Sequence, residues 1–469
     1  MRPRGGSPKP RAACPEPCQS SMSSGAIVQN SPELTAFTHA IIFVFPVLAM
    51  LPPVPSIAAA APATSDAAAA AAAAPTDAAP TDAVPWPRPA IAALTASQIR
   101  EVANAAIGRD DVLPFWFGEP DVVTPAFIRA AAKAALDAGD TFYHHNLGIA
   151  PLRDALATYL SRSHLPVASE RVVVTSSGVN ALMLAAQAIL SPGDRVVAVV
   201  PLWPNITQIP RILGAEVTRV PLTLAADGRW TLDTAQLLAA IGTDARAVIV
   251  NSPNNPTGWT MSGEAMAALL AHCRRHGIWV VSDEAYERLV FDGSLQAPSM
   301  LDLAGPDDRL IVANTFSKAW QMTGWRLGWL VLPPALVPEL AKLIEFNTSC
   351  APGFIQQAAV TALRDGEPVV RAFVTELGRR RDALLAGLQR IDRISVGRPD
   401  GAMYAFFSID GEPDSLALAK ALVRDAGIGL APGIAFGDEG EGFLRWCFAR
   451  PVAVLEEALG RLEAHLARR

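Results

Sequence analysis

The sequence predicts an α/β fold in which a mainly parallel sheet is sandwiched by helices and followed by a smaller α+β domain. Short runs rich in valine and isoleucine recur between residues 171 and 332, and helical patterns separate them. Beyond residue 350 this alternation loosens. Near-continuous apolar strands separated by helices are typical of a parallel sheet that is buried on both faces. The 469 residues, 51% of them apolar, are enough for a core of that size.

Each element follows from a local pattern. Helices with capping signals are predicted first, over 95–107 and 125–138. The strands that follow are "RVVVT", "RVVAVV", "EVTRV", "RAVIVN", "IWVVS", "LIVAN" and "RLGWLVL", which begin at residues 171, 195, 216, 246, 278, 310 and 326. Helices are expected between them at 179–190, 205–213 and 262–276. The last part predicts a helix over 354–390 that bends near "RDGEP", strands at "AMYAFFSI" and "GFLRWCF", a helix at 414–426 and a C-terminal helix.

These patterns predict four segments. They are a disordered Ala/Pro-rich leader at 1–90, an N-terminal arm with part of the small domain at 91–124, a large cofactor-binding domain at 125–350 and a small domain at 351–469. The leader has too little side-chain bulk for a core, because residues 58–84 are almost entirely Ala, Pro, Thr and Asp.

The apolar run "AFTHAIIFVFPVLAML" within the leader has two interpretations. It is short for a membrane span and contains Pro46. It resembles the core of an export signal with a small-residue cleavage region, but the stretch before it is far longer than a signal's basic region. We favour a disordered leader or an early start codon, and therefore predict a cytoplasmic protein with no membrane partner.

Charge and cysteine content exclude other classes. The net charge is −6 with a pI near 5.7, and no basic patch indicates a nucleic-acid partner. The five cysteines are interpreted as reduced thiols, which suits a cytosolic enzyme. Cys14 and Cys18 have no second pair, so no metal site is predicted.

Residues that could bind a ligand collect after the predicted strands, where open α/β sheets bind ligands. Taken singly, each has an ordinary explanation as a cap, a turn or a packed aromatic. Together they predict a site for an aromatic, phosphorylated, carbonyl-bearing cofactor. They are Gly178, Trp203, Asn255, Asp283, Tyr286, Thr315, Ser317 and Lys318.

Lys318 is the candidate nucleophile. Of the five lysines, it alone ends a strand in a hydroxyl-rich turn. A free lysine has a pKa near 10.4, and desolvation makes the amine reactive toward carbonyls. Asp283 can hold a ring nitrogen protonated. A helix start at "SSG", with Arg326, can bind a phosphate. Arg445 lies in an apolar strand and needs a partner, either a structural acid or a substrate carboxylate.

The motifs together resemble the class I/II aminotransferases, pyridoxal-phosphate enzymes of fold type I. The resemblance spans residues 95–465 and rests on "GEPDVVTP", "FYHHNLGIAPLRDAL", "SSGVNAL", "PLWPN", "NSPNNPTG", "SDEAY", "TFSKAWQMTGWRLGW" and "LRWCFA". The N-P-T-G, D-E-x-Y and S-K-x-x-x-x-x-G-x-R elements are the most specific.

The resemblance implies a role for each matched residue. Lys318 is the lysine that forms the internal aldimine, Asp283 pairs with the pyridine nitrogen, and Tyr286 completes the catalytic set. Asn255 and Tyr286 bind the phenolic oxygen, and Trp203 stacks on the ring. The phosphate-binding residues implied are Gly178, Val179, Thr315, Ser317 and Arg326. Those for the substrate's α-carboxylate are Gly118, Arg445 and Asn255. Tyr143 resembles the tyrosine that reaches the neighbouring subunit's phosphate, which implies a homodimer with shared active sites.

The resemblance further implies transfer of an amino group between an L-amino acid and a 2-oxo acid. Another pyridoxal-phosphate reaction at Cα or Cβ, by a C–S lyase or decarboxylase, is the first alternative. A ligand-sensing regulatory domain ranks below it, because residues 1–94 lack basic helices. His144 and His145 replace small residues or proline of the family, and are interpreted as loop residues or as part of the substrate mouth. Trp116 and Phe117 hint at an apolar substrate side chain.

Overall fold

The computed structural model describes residues 87–468, and a seven-stranded sheet lies at its centre. Its strands are β1 Val172–Thr175, β2 Arg195–Val200, β3 Glu216–Pro221, β4 Ala247–Asn251, β5 Trp279–Asp283, β6 Leu310–Thr315 and β7 Gly328–Val331. Their spatial order is β1-β7-β6-β5-β4-β2-β3. All pairs from β6 to β3 are parallel, whereas β7 runs antiparallel to both of its neighbours. The mainly parallel sheet expected from the sequence is confirmed.

Both faces of this sheet are buried, which explains its unbroken apolar strands. Val172 and Val174 of β1 enter one core cluster, and Val173 enters the cluster on the other face. The period of two in a strand produces this division. The helices of the described residues are α1 Pro89–Ala92, α2 Gln98–Asn104, α3 Ala126–Asp137, α4 Ala150–Ser161, α5 Gly178–Ile189, α6 Pro204–Ile212, α7 Thr234–Ile241, α8 Gly263–His276, α9 Val337–Glu345, α10 Gly353–Asp365, α11 Glu367–Leu388, α12 Ser415–Ala421 and α13 Val452–Leu466.

A second sheet is antiparallel and has four strands. They are β8 Ile394–Val396, β9 Tyr404–Ile409, β10 Ala431–Pro432 and β11 Phe443–Cys447, in the order β8-β9-β11-β10. The segment before α3 reaches this region, since Leu113–Pro114 pairs in parallel with Ile428–Gly429. A further short antiparallel pair joins Thr223–Leu224 to Trp230–Thr231. The four-segment division predicted from the sequence stays a prediction.

The structure corrects several elements. The expected helix over 354–390 is two helices, α10 and α11, separated at Gly366. A Cβ at this position would collide with Ala362 O, so glycine allows the close turn between the two helices. The helix expected over 414–426 is α12 followed by a π-helical turn at Leu422–Ala426. Helices α4, α7 and α9 were not predicted. Helices α4 and α9 have no side-chain cap at their N-termini, whereas α7 is capped by Asp233 and ends at Gly242, a signal that the sequence interpretation overlooked.

Other sequence predictions concern composition. Residues 1–86 of the predicted leader, with Cys14 and Cys18, lie outside the described residues. The disorder predicted up to residue 90 is wrong at its end, because helix α1 begins at Pro89. Within residues 87–468 the cysteines Cys273, Cys350 and Cys447 are free. In the same range, no helix is both long and apolar enough to cross a membrane.

Candidate active site

A cavity of about 530 Å³ opens at the carboxyl ends of β1, β4, β5 and β6, facing the small sheet. Twelve of the thirteen residues predicted for the site line it. They are Gly118, Gly178, Val179, Trp203, Asn255, Asp283, Tyr286, Thr315, Ser317, Lys318, Arg326 and Arg445. The thirteenth, Tyr143, lies on the loop between α3 and α4, and its side chain is 87% exposed.

Lys318 follows β6 by three residues and points into the cavity. Its Nζ donates to Gly118 O at 2.6 Å and lies 5.6 Å from the centre of the Tyr286 ring. Burial lowers the pKa of Lys318 to about 8, and the positive charges of Arg445 and Arg326 also lower it. At pH 7 about one amine in ten is then neutral, against about one in a few thousand for a free lysine. The side chain therefore suits attack on a carbonyl and proton transfer.

Asp283 is the last residue of β5 and is 6% exposed. Its Oδ1 accepts one hydrogen bond, from Ala285 N at 3.2 Å. Burial raises the pKa of Asp283 to about 6, while the charge of Lys318 opposes that rise. A buried carboxylate with so few donors is stabilised by a cationic N–H partner. The protonated ring nitrogen of a pyridine cofactor would be such a partner.

The part of the cavity wall formed by the start of α5 and the residues after β6 can bind an anion. Helix α5 begins at Gly178, and Ser177 Oγ caps it by accepting from Asn180 N at 3.0 Å. Thr315 Oγ1 donates to Ser317 Oγ at 2.8 Å. Arg326 adopts a left-handed backbone with φ 55°, which is uncommon for a non-glycine residue and typical of functional sites. A helix N-terminus, two hydroxyls and a guanidinium together fit a phosphate.

Close backbone packing makes this wall possible. Gly328 of β7 lies beside Thr315 in the sheet. A Cβ at Gly328 would come within 2.7 Å of both Gly178 N and Asn314 O. Glycine at this position therefore lets the start of α5 approach the end of β6, which brings the helix N–H groups and the hydroxyls into one cradle.

Arg445, in the middle of β11, is 2% exposed. Its Nη1 donates to Asn255 Oδ1 at 3.0 Å and its Nη2 donates to Trp116 O. Its Nε has no partner among the described residues, and none of the acids in residues 87–468 forms an ion pair with it. A buried guanidinium held by neutral oxygens retains its need for an anion. Of the two partners left open by the sequence, the geometry favours a ligand's carboxylate.

The sequence interpretation missed further residues of the cavity wall, and three of them make contacts that bear on the chemistry of the site. Tyr404, at the start of β9, has its hydroxyl 2.6 Å from that of Tyr286. A Cβ at Gly118 would overlap the Tyr404 hydroxyl. Asn251 accepts from Asn255 N at 2.8 Å and donates to Asp283 O at 3.1 Å. Asn251 is the last residue of β4, where open α/β sheets bind ligands, so the sequence could have indicated it. Tyr404 lies in the small sheet and carried no such signal.

The third missed residue is Arg100 of α2, which lies at the mouth of the cavity. Its Cζ is 5.6 Å from the centre of the Phe117 ring. Among the described acids, none forms an ion pair with this arginine. Trp116 is 8% exposed and packs on Gly429, where a Cβ would overlap its ring. Trp116 is therefore mainly a packing residue, and Phe117 with Arg100 forms the outer wall.

Comparison with known sequences identifies relatives over most of the chain. Residues 110–462 match the family model described as "Aminotransferase class I and II". An aspartate aminotransferase of Pyrococcus horikoshii is 33% identical over 380 residues, which are 80% of this chain and 96% of that protein. A valine–pyruvate aminotransferase of Mycobacterium tuberculosis is 36% identical over 360 residues, 76% of this chain and 91% of the relative.

Solved structures agree with the sequence relatives. An aminotransferase from Mycobacterium tuberculosis superposes with a TM-score of 0.75 at 34% identity, covering 83% of this chain and all of that one. An aspartate aminotransferase from Thermus thermophilus with maleate gives a TM-score of 0.73 at 33% identity, covering 80% and 98% of the two chains.

Proposed function

The chain belongs to the class I and II aminotransferases, enzymes that move an amino group between an amino acid and a 2-oxo acid, and we propose that its cavity holds pyridoxal 5'-phosphate against Lys318. The observation that carries this proposal is a pair of groups whose pKa values are shifted in opposite directions. A lysine whose pKa is lowered to about 8 and a buried carboxyl whose pKa is raised to about 6 line one cavity with an anion cradle. Such pairs are typical of acid–base sites.

The residues present fit this cofactor group by group. Asp283 would pair with the ring nitrogen, and Asn255 and Tyr286 would bind the phenolic oxygen. Trp203 would cover the ring. The phosphate would be held by the N-terminus of α5 at Gly178 and Val179, by Thr315 and Ser317, and by Arg326. When bound, pyridoxal phosphate withdraws electrons from the substrate's Cα and so makes its proton easier to remove.

The chain's own groups would then direct the reaction. Arg445, with the backbone at Gly118, would bind the substrate's α-carboxylate and orient the Cα–H bond. Lys318 Nζ would accept the Cα proton and deliver it to the cofactor side as general base and then acid. Asp283 would hold the proton on the ring nitrogen. Burial raises the pKa of Tyr286 well above its ordinary value, so this phenol remains a hydrogen-bond donor.

We further propose that one substrate is a dicarboxylate. With Arg326 assigned to the phosphate and Arg445 to the α-carboxylate, Arg100 remains at the mouth without an anionic partner. The two substrate arginines are anchored on consecutive residues, since Arg445 contacts Trp116 O and Arg100 stacks on Phe117. A side-chain carboxylate would gain a charge-assisted bond there, while the cation–π contact it replaces is worth only about 0.5–1 kcal/mol.

The names of the relatives do not decide the donor, because they include aspartate, valine and arginine as amino donors. A homodimer and a cytoplasmic location are part of the proposal. Exposed Phe142, Tyr143 and Phe346, all more than 80% exposed, support an oligomer, because apolar side chains so exposed are typical of contact surfaces.

The test is a product assay on the purified full chain with pyridoxal phosphate. Aspartate, alanine, phenylalanine and methionine are each supplied with 2-oxoglutarate, and 2-oxo acids, ammonia and CO₂ are measured. We expect stoichiometric exchange of amino and oxo groups, with aspartate preferred over alanine. Release of CO₂ or ammonia without exchange would instead indicate a decarboxylase or a C–S lyase. Protein that stays colourless with the cofactor would overturn the proposal itself.

A further inference from the structure

The loop between α3 and α4 presents two aromatic side chains outward. Phe142 and Tyr143, adjacent in sequence, are 82% and 87% exposed. Tyr143 is also the one predicted site residue outside its own chain's cavity. An unrestrained loop with such a tip would sample many conformations, and fixing each residue costs about 1–2 kcal/mol. If Tyr143 serves another subunit, holding this loop in advance would increase binding there.

The base of the loop is in fact held by side chains. His144 Nε2 donates to Asp140 Oδ1 at 2.5 Å, which closes the tip between them. The two side chains are 26% and 17% exposed, so the bond is largely shielded from water. His144 N also donates to Cys350 Sγ at 3.4 Å, which joins the loop to the turn before α10.

The neighbouring helix is shaped for this pair. Gly353 is the first residue of α10, and a Cβ there would collide with both His144 Nε2 and Asp140 Oδ1. Further bonds hold the far side of the loop: Asn146 Nδ2 donates to Ala341 O at 3.1 Å, and Val174 N donates to Leu147 O at 3.0 Å. The tip therefore stands on a fixed base made by α9, α10 and β1.

Metal binding does not account for these histidines. No group of three or more His, Cys, Asp or Glu side chains within residues 87–468 is arranged to hold a metal ion. The ring of His145 faces differently from that of its neighbour, since its Nδ1 accepts from Leu147 N at 3.1 Å. Each imidazole therefore has its own loop bond.

We propose that Asp140 and His144 are positioning residues that hold Tyr143 toward the phosphate site of a second copy of this chain. The inference rests on the proposed function, because it requires a homodimer with shared sites. The Asp140–His144 bond fixes the direction of the tip, and Cys350 and Gly353 locate its base. Neither residue of the pair lines the cavity of its own chain.

The first experiment measures the cofactor dissociation constant by absorbance titration of cofactor-free protein. Tyr143→Phe is expected to weaken binding. Asp140→Ala and His144→Ala are expected to weaken it by about fivefold, equal to the loss of roughly one hydrogen bond. His144→Gln, which still donates to Asp140, should recover most of the affinity. Asp137→Ala, a matched change at an exposed position of α3, should leave it unchanged.

Combining the changes tests whether the pair acts through the tyrosine. If Asp140 and His144 work only by positioning Tyr143, then His144→Ala adds little to Tyr143→Phe. Losses that multiply would show an independent structural role and would overturn the inference.

Hybrid dimers locate the effect. In a dimer of an Asp140→Ala subunit with a Lys318→Ala subunit, the remaining Lys318 receives Tyr143 from an intact loop. We expect wild-type cofactor retention at that lysine, scored by borohydride trapping and the mass of its peptide. Weak retention there would mean that Asp140 acts within its own subunit, which contradicts the inference while leaving the proposed function intact. If Tyr143→Phe itself had no effect, the shared site of the proposed function would fail.

Discussion

The cavity and the α3–α4 loop place functional residues in opposite ways. In the cavity, side chains such as Asp283 and Lys318 follow buried strands, and their pKa values are shifted mainly by burial. On the loop, Tyr143 is exposed and only its supports, Asp140 and His144, are partly buried. On the functions proposed above, the chain builds one site for itself and offers one side chain to a second copy.

This difference predicts the size and location of mutational effects. Cavity groups sit where water is excluded, so each electrostatic contact is strong and its removal is costly. A loop side chain contributes a contact that is formed only on assembly. Changes in the cavity should therefore act strongly and within one subunit, and changes in the loop should act weakly and across subunits.

Lys318→Ala should give the largest loss, at least about a thousandfold in kcat, because the proton carrier is removed. The cofactor-free variant should keep or raise its melting temperature, since a buried amine with a lowered pKa is unfavourable to the fold. Steady-state kinetics and thermal melting measure both effects. Lys342→Ala, at a surface ion pair with Glu339, is the control. Residual activity above a few per cent would break the contrast between the two regions.

Asp283→Asn should lower kcat by about a hundredfold and alter the pH dependence of cofactor binding. The folded pKa of about 6 lies above the ordinary value of 3.8, so protonation favours the cofactor-free fold. Its stability should fall as pH rises from about 4 to about 6, by up to about 3 kcal/mol. Cofactor affinity should instead fall as the pH decreases through about 6, because the Asp283 carboxylate becomes protonated.

The asparagine variant should lose the part of each pH dependence that Asp283 contributes, because its side chain does not titrate. Titrations between pH 5 and 8 measure the cofactor affinity, and urea unfolding of cofactor-free protein measures the stability. A midpoint near pH 6 that persists in the variant would assign the titration to another group, such as Glu284, whose pKa burial raises to about 7.

The same contrast explains what the sequence predicted. Asp283 and Lys318 could be located in advance because parallel strands place their carboxyl ends at one edge. Tyr404 could not be, since its position depends on how the small sheet packs over that edge. The bond between Asp140 and His144 was also invisible, because the sequence showed two histidines without their partners. The break at Gly366 was anticipated only as a bend, since "RDGEP" signals an interruption of the helix without showing whether the chain bends or a new helix begins.

Arg100→Gln should affect one class of substrate. The Michaelis constant for 2-oxoglutarate and aspartate should rise about tenfold, equal to roughly 1.4 kcal/mol, while the constants for pyruvate and alanine should stay unchanged. The reason is that only dicarboxylates reach the guanidinium at the mouth. Arg162→Gln, on an exposed helix end, is the matched control. An equal rise for all substrates would indicate that Arg100 merely orders α2.

Tyr404→Phe should give the smallest fall in kcat among the changes in the cavity. It removes the hydroxyl 2.6 Å from that of Tyr286 but keeps the ring under Arg445, whose Cζ lies 4.4 Å from its centre. Burial raises the pKa of Tyr404 to about 12, so both phenols are neutral at working pH and no charge is lost. The expected fall in kcat is about threefold, close to one neutral hydrogen bond, with an unchanged pH profile. Tyr404→Ala, which also removes the ring, should lose more, and kinetics between pH 7 and 9 measure both variants. A hundredfold loss in the phenylalanine variant would place this hydroxyl on the reacting atoms, and Tyr404 would then join Lys318 as a catalytic residue.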